Sequence, residues 1–367
     1  MTLGAPTRYT AHPLSGEATW SLAEGVLWDA RAGRLRWVDI ETGTVLSAPF
    51  DGTTLGPVAA AQVSLAGVPT AGAQAHAARV EAARTALEPT ASAGAGEPRH
   101  LADAALPPHK IGAIGLGDDG RLVAAVDSSL VLIDPPESLD PREAQALASG
   151  FLLAAPGRRL NDGVCDPAGG FIVGALSDAS GTGAAEELVV RVVADGLDGA
   201  GGPGSVTVLR DDIEQSNGMG FSPDGRTFYL IDTVPGRIWA ADFDATGDRG
   251  AAGDAGSLPT TDWRVAFTLP GEYPDGMRVD DEGMLWIAVW GAGEVRRYRP
   301  DGELLAVVEV DAPFTTCVAF AGPDRRSLVI TTSNRDHTAA ERLARPHAGG
   351  LFVARIDVAG PEPYRFG

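Results

Sequence analysis

The sequence predicts an all-β fold, a six-bladed β-propeller, on three observations. A short motif, an acidic turn with glycine followed by a strand of apolar and β-branched residues, recurs six times along the 367 residues. Most copies are about 45–60 residues apart, a spacing typical of propeller blades. The chain also contains 47 glycines and 26 prolines, which supply turns for many short elements.

The six copies share a turn in which aspartate bonds its own backbone and glycine accepts a positive φ, the chemistry of a tight hairpin. They are found at residues 29–40, 118–126, 166–176, 222–232, 280–289 and 322–331. Each run after the turn has the pattern of a buried strand, and further short strands precede or follow it. Each unit is therefore predicted to hold three or four strands.

The first two copies are separated by a longer stretch, because residues 70–108 add an insertion rich in alanine, glycine and proline. Residues 73–87 are predicted to form an alanine-rich helix within it. We interpret 70–108 as a loop insertion between blades 1 and 2, so that 1–367 is one propeller domain. A second glycine- and alanine-rich stretch, at about 244–258, is predicted to be a surface loop.

The insertion at 70–108 ends just before Ile111, at the repeat position equivalent to Glu24 and Asn217. It is therefore expected to emerge on the same face as those residues. One hypothesis is a lid or specificity loop, and the alternative is a functionally neutral insertion.

The net charge of −20 argues against nucleic-acid and membrane-surface roles, because an acidic surface repels phosphate and anionic lipid. No apolar run approaches the roughly 18–20 residues that span a bilayer, and the first residues lack a signal-peptide pattern. Two distant cysteines, Cys165 and Cys317, form neither a disulfide framework nor a zinc motif. A cytoplasmic protein with no evident protein partner is expected.

Polar side chains gather at the predicted start of the innermost strand of four repeat units. They are Glu24, Asn161 with Asp162, Asn217, and Asp275. Equivalent positions of propeller blades lie at one height around the axis, so these oxygens should converge on one channel mouth. The Asn and Asp residues alone also suit an ordinary turn before glycine, and Glu24 suits one less well. A metal site is predicted because all of these residues occupy the same position within their repeat units.

Converging carboxylates in a partly dry channel resist ionisation unless a cation neutralises them. Carboxylate and amide oxygens favour Ca²⁺, Mg²⁺ or Mn²⁺, whereas Zn²⁺ more usually recruits histidine or cysteine. Calcium is the leading candidate, with Zn²⁺, Mn²⁺ and Mg²⁺ as alternatives. Asp39, Asp232 and Asp162 are interpreted as structural hydrogen-bonding groups, and Trp290 as a candidate pocket wall.

An ordered series of segments resembles the SMP-30/gluconolactonase/regucalcin family. The segments are 24–29 with 37–40, 159–163 with 166–169, 216–225, 274–277, 290–291 with 295–298, 315–317, and 348–352. Each motif is weak alone, but the ordered set is specific for the family, although not for a substrate. The resemblance covers about residues 20–355 and is interrupted by the insertion.

The resemblance implies a six-bladed propeller with one catalytic divalent metal. It implies Glu24, Asn217 and Asp275 as metal ligands, and Arg159 and Asn161 as substrate contacts. Related phosphotriesterase-like propellers use the Asn161-type position as a metal ligand too. No histidine or thiolate is required by this set.

Together these features predict metal-assisted hydrolysis of a small sugar lactone, with Asp275 as ligand and general base. Arg159 would bind substrate hydroxyls or the nascent carboxylate. Some family members carry a further substrate-binding acid after the third repeat, where Asp178 is the nearby candidate here and aligns loosely. No GxSxG motif supports a serine esterase.

Three other functions are compatible with the same sequence. A phosphotriesterase-like or promiscuous esterase propeller would have a neutral, more apolar pocket. A calcium-binding regulatory protein would bind metal without turnover. A scaffold for protein partners would not need Glu24, Asn217 and Asp275 to converge.

Overall fold

Six small sheets form a six-bladed β-propeller, which confirms the predicted fold. The computed structural model describes residues 5–63, 65, 109–139, 144–149, 157–177, 186–194, 205–244 and 260–367. All six recurring motifs form the turn and second strand of a blade, as predicted. Within the described ranges, no helix has the length and apolar character required to cross a membrane.

Blades 1 to 3 each contain four antiparallel strands in sequence order. Blade 1 consists of β3 (Ala23–Asp29), β4 (Arg34–Asp39), β5 (Thr44–Pro49) and β6 (Ala59–Gln62). Blade 2 consists of β7 (Ile111–Gly117), β8 (Leu122–Val126), β9 (Ser129–Ile133) and β10 (Gln145–Ser149). Blade 3 consists of β11 (Arg159–Cys165), β12 (Phe171–Leu176), β13 (Glu187–Val193) and β14 (Ser205–Ile213).

Blades 4 to 6 repeat this arrangement. Blade 4 consists of β15 (Ser216–Phe221), β16 (Thr227–Asp232), β17 (Arg237–Phe243) and β18 (Thr260–Thr268). Blade 5 consists of β19 (Tyr273–Val279), β20 (Leu285–Trp290), β21 (Glu294–Tyr298) and β22 (Leu304–Glu309). Blade 6 has β23 (Thr315–Ala321), β24 (Ser327–Thr332) and β25 (Leu351–Arg355), with helix α1 (Ala339–Ala344) between β24 and β25.

Both ends of the chain complete the ring, which the repeat pattern did not predict. The N-terminal segment supplies β1 (Thr7–Thr10), parallel to β22, and β2 (His12–Pro13), antiparallel to β25 as the outer strand of blade 6. The C-terminal β26 (Arg365–Phe366) pairs in parallel with β7 of blade 2. Segments distant in sequence therefore hold the ring closed.

The core lies between neighbouring blades, and several strands are consequently apolar along their whole length rather than alternating. Trp286 of blade 5 packs with Phe320 and Phe352 of blade 6, and Phe171 of blade 3 packs with Leu130 of blade 2. Burial of apolar surface on both faces of a sheet is the main stabilising term for such a stack. Both cysteines are buried and free.

The predicted hydrogen-bonding role of two strand-end aspartates is confirmed. Asp39 accepts from the backbone N–H of Leu22 at 3.1 Å, and Asp232 accepts from that of Gln215 at 3.0 Å. Asp127 does the same for Lys110 at 2.9 Å, in a blade where the sequence analysis named no such residue. These carboxylates anchor the entry to the first strands of blades 1, 2 and 4.

The predicted helix at 73–87 lies outside the described residues, as do the whole 70–108 insertion and the stretch 245–259. Blade 1 ends with β6 at Gln62 and blade 2 begins with β7 at Ile111, so residues 70–108 fall in the connection between them.

A buried ion pair between Asp166 and Arg191 stabilises blade 3, with Arg191 Nε 2.6 Å from Asp166 Oδ2 and side chains 2% and 0% exposed. We expect Asp166→Ala to lower the free energy of unfolding by about 3–5 kcal/mol, because it leaves Arg191 buried without that partner. Urea denaturation measures this. The exposed pair Arg264–Asp242, at 51% and 58% exposure, is the control, and Asp242→Ala should cost less than about 1 kcal/mol. Equal losses would refute the assignment.

Candidate functional site

The first strands of the six blades surround the axis, and each contacts the first strands of its neighbours. In every blade, the pairing of the first strand with the second shifts register near the start of the first strand. The shifts fall between Glu24 and Leu27, Ile111 and Ala113, Leu160 and Gly163, Ser216 and Met219, Pro274 and Met277, and Thr315 and Val318. A bulge leaves residues unpaired and re-aims their side chains. Glu24, Asn161, Asn217 and Asp275 stand at these shifts, within strands rather than in turns.

Two glycines at the same level let the axial strands approach closely. A Cβ on Gly218 would lie 2.5 Å from the carbonyl oxygen of Asp275, and one on Gly276 would lie 2.7 Å from Cys317 Cα. The residues that precede these glycines, Asn217 and Asp275, are thereby brought together at the channel. Gly218 and Gly276 thus serve close packing rather than a turn.

Five of the six predicted site residues line one polar pocket of about 600 Å³: Glu24, Arg159, Asn161, Asn217 and Asp275. The sixth, Asp178, lies outside the described residues. Glu24, Asn161, Asn217 and Asp275 are each less than a tenth exposed, and Arg159 is half-buried.

The amide of Asn217 is oriented by blades 4 and 5. Its Nδ2 donates to Thr233 Oγ1 at 3.1 Å, and Thr233 Oγ1 donates to the carbonyl of Pro274 at 2.7 Å. Asn217 also hydrogen-bonds Asp275, and this contact opposes the rise that burial causes in the pKa of that carboxyl group. With its amide nitrogen committed to these partners, the Asn217 oxygen is the atom that can accept or coordinate.

Asn161 is held differently, between blades 3 and 4. Its Nδ2 donates to the carbonyl of Ser216 at 2.8 Å, and its Oδ1 accepts from Arg159 Nη1 at 2.8 Å. The oxygen that would face a metal in a phosphotriesterase-like site is therefore bound by a guanidinium. This arrangement suits a substrate contact better than a metal ligand.

Glu24 and Asp275 are buried carboxylates that repel each other. Burial, and then repulsion by Asp162, raises the pKa of Glu24 to about 8, although the N–H of Gly25 opposes the shift. Burial, followed by repulsion from Glu24 and Asp162, raises the pKa of Asp275 well above its usual range. Two anions forced together in a dry site create a strong demand for a positive charge.

The donor set fits a hard divalent cation. Glu24, Asp275 and Asn217 offer only oxygen, the donor that Ca²⁺, Mg²⁺ and Mn²⁺ prefer. Among the described residues, no three histidine, cysteine, aspartate or glutamate side chains group as a ligand cluster. The site therefore consists of two carboxylates and an amide, which argues against a typical zinc centre.

Charged residues that the sequence analysis did not identify also line the pocket. Lys110 Nζ lies 3.0 Å from Glu41 Oε2, and Arg335 Nη1 lies 3.4 Å from Glu41 Oε1. Trp290 lines the pocket, as the sequence analysis suggested, and stacks on Phe314 with ring centroids 4.6 Å apart. In the sequence, Lys110 could have been recognised as a pocket residue from its position just before the first strand of blade 2.

Comparison with known proteins was made for sequence and for structure. The family model described as the SMP-30/Gluconolactonase/LRE-like region matches residues 22–334. A 6-deoxy-6-sulfogluconolactonase of Pseudomonas putida is 31% identical over 254 residues, 69% of this chain and 79% of that protein. An L-arabinolactonase of Azospirillum brasilense is 34% identical over 212 residues, 57% of this chain and 63% of that protein, less than two thirds of either.

A solved structure agrees over the full ring. The calcium-binding protein regucalcin from Agrobacterium tumefaciens str. C58 superimposes with a TM-score of 0.72 and 25% sequence identity, covering 98% of this chain and 99% of that one. The family match extends from the first strand of blade 1 to the end of blade 6's second strand, and it includes Glu24, Asn217 and Asp275. The chain therefore belongs to the SMP-30/gluconolactonase/LRE-like family.

Proposed function

We propose that this protein hydrolyses a small sugar lactone to the sugar acid, using one divalent cation held by Glu24, Asn217 and Asp275. The observation that carries the proposal is the pair of buried, mutually repelling carboxylates, Glu24 and Asp275, beside an oriented amide at a polar pocket. Relatives named for lactone hydrolysis support the reaction class.

Calcium is the leading candidate for the cation, because the donors are oxygens only and the related regucalcin is described as calcium-binding. Zn²⁺, Mn²⁺ and Mg²⁺ are the alternatives. When bound, such an ion supplies Lewis-acid polarisation of a carbonyl oxygen and lowers the pKa of water.

Asp275 is the proposed general base. Its carboxylate takes a proton from the attacking water, a step that works best when the pKa of the base is near the working pH. Burial and the neighbouring carboxylates raise the pKa of Asp275 in that direction. The contact from Asn217 holds the carboxylate in place.

Arg159 and Asn161 are the proposed substrate contacts. The Arg159 guanidinium is bound to Asn161 Oδ1 at 2.8 Å and to the carbonyl of Leu160 at 3.0 Å, so its position is set before substrate arrives. A guanidinium held in this way can donate to ring hydroxyls or to the carboxylate that ring opening creates. The polar, charged pocket wall favours a polyhydroxy substrate over an apolar phosphotriester.

The proposal is tested by measuring hydrolysis of several lactones by protein from which metal has been removed with a chelator. Glucono-δ-lactone, galactono-γ-lactone and arabino-γ-lactone are supplied in turn, with Ca²⁺, Mn²⁺, Mg²⁺ or Zn²⁺ added back singly, and proton release is recorded. Activity restored by metal supports the function and ranks ions and substrates. Folded protein that binds metal but opens no lactone with any ion would favour a calcium-binding regulatory role instead.

Arg159→Lys is expected to raise KM for the lactone about tenfold with a smaller change in kcat, because lysine keeps the charge but loses the planar fork. Steady-state kinetics on the best lactone measure this. The neighbouring Arg158 pairs with Glu187 at 3.0 Å, so Arg158→Lys is the matched control and should leave KM within about twofold. An unchanged KM in Arg159→Lys would exclude Arg159 as a substrate contact.

A further inference from the structure

Asp162 is a buried carboxylate at the axis whose role exceeds the hydrogen bond it makes. Only 4% of the residue is exposed. Its Oδ1 accepts from the N–H of Gly163 at 2.7 Å, the local role expected from the sequence. Its Oδ2 is also buried and, among the described residues, has no hydrogen-bond partner. A carboxylate oxygen left unpaired in the interior is costly.

The backbone places Asp162 next to the cation site. Strand β11 shifts register between Leu160 and Gly163, so Asn161 and Asp162 are both released from pairing with β12. Asn161 lines the pocket, and the charge of Asp162 acts on both Glu24 and Asp275. Asp162 is thus a third buried carboxyl group, close enough to Glu24 and Asp275 for its charge to act on both.

Arg278 supplies a positive charge that acts on Asp162. Its Nη1 donates to the carbonyl of Met277 at 2.6 Å and its Nη2 to that of Val26 at 3.4 Å. Met277 lies two residues after Asp275, and Val26 lies two residues after Glu24. The Arg278 guanidinium therefore joins the two strands that carry these carboxylates, at a position further along the channel than the carboxylates themselves. Burial raises the pKa of Asp162, and the positive charge of Arg278 and the N–H of Gly163 oppose that rise.

We propose that Asp162 supplies a third negative charge to the cation site from beneath, without ligating the ion, and that Arg278 offsets the cost of burying this charge. The proposal rests on the cation site of the proposed function. An asparagine at position 162 would accept the Gly163 N–H equally well. The proposed charge gives a reason for an aspartate there, although its Oδ2 is buried without a hydrogen-bond partner among the described residues. Asp162 is a positioning residue for charge rather than a catalytic residue.

The charge of the ion provides the test, because Coulomb energy scales with the product of the charges. When one negative charge is removed near the site, the binding free energy lost by a trivalent ion should be about one and a half times that lost by a divalent ion. If Asp162→Asn weakens Ca²⁺ binding about tenfold, it should weaken Tb³⁺ binding about thirtyfold. A purely structural defect would weaken both ions by the same factor.

The experiment measures Ca²⁺ binding by calorimetry and Tb³⁺ binding by luminescence in wild type, Asp162→Asn and Asp242→Asn. The Asp242 variant removes the same charge from the exposed pair with Arg264 and should leave both affinities within about twofold. Asp162→Ser replaces Asp162→Asn if the latter shows no cooperative unfolding transition.

Weaker binding with a larger factor for Tb³⁺ supports the proposal. Unchanged affinities, or equal losses for the two ions, would overturn it. Wild-type protein that binds neither ion would instead refute the cation site itself, so the two failures are distinguishable.

Discussion

Asp275→Asn is expected to lower kcat/KM for lactone hydrolysis by about a thousandfold or more, with the protein still folded. The change removes the proposed base and one of two ligand charges while keeping the shape of the side chain. Folding should survive, because Asp275 is buried among other anions and its neutralisation relieves the repulsion with Glu24 and Asp162. The buried arginines of the described residues, Arg36 and Arg191, pair with other carboxylates.

Proton-release assays on the best lactone and thermal unfolding of the same samples measure this. The control is Asp336→Asn, which makes the same substitution at an exposed residue lining the same pocket. Its activity should stay within about threefold of wild type. Retention of more than about a tenth of the activity in Asp275→Asn would rule out the role as base.

Glu24→Gln is expected to stabilise the metal-free protein at alkaline pH. Burial raises the pKa of Glu24 from an ordinary value of 4.5 to about 8, so the folded state favours the neutral acid. The stability from this group is fully present below about pH 4.5 and is lost as the pH rises through about 8. Metal-free wild type should therefore lose about 3–5 kcal/mol over this interval, and Glu24→Gln should lose much less.

Urea unfolding in the presence of a chelator, at pH 5.5 and pH 8.5, tests this expectation. Added Ca²⁺ should restore wild-type stability at pH 8.5, because a bound cation stabilises the ionised carboxylate, and should act weakly on Glu24→Gln. Glu362→Gln, at an exposed glutamate, should follow wild type. A pH dependence that is the same in Glu24→Gln and in wild type would show that Glu24 is ionised freely in the folded protein.

The number of blades and the level of the site could be predicted from the sequence. Asp-Gly turns recur with the blade, and a repeat places equivalent residues at one height around the axis. Counting from each turn to the first strand therefore identified Glu24, Asn161, Asn217 and Asp275. All four line one pocket. This information is local, because it depends on residues within one blade and on the phase of the repeat.

Only the tertiary structure decided which residues meet across blades. Arg278 bridges to Val26, Arg335 reaches Glu41, and Arg365 of β26 bonds the carbonyl of Gly117 at 3.1 Å. Each contact joins segments far apart in sequence, and its geometry follows from closing the ring with strands from both chain ends. The sequence by itself determined the repeat, the turns and the level of the oxygen ligands. Closure of the ring decided which charged residues lie near these oxygen ligands. Electrostatic interactions depend on distances in space, and these do not follow from the position of a residue within its repeat unit.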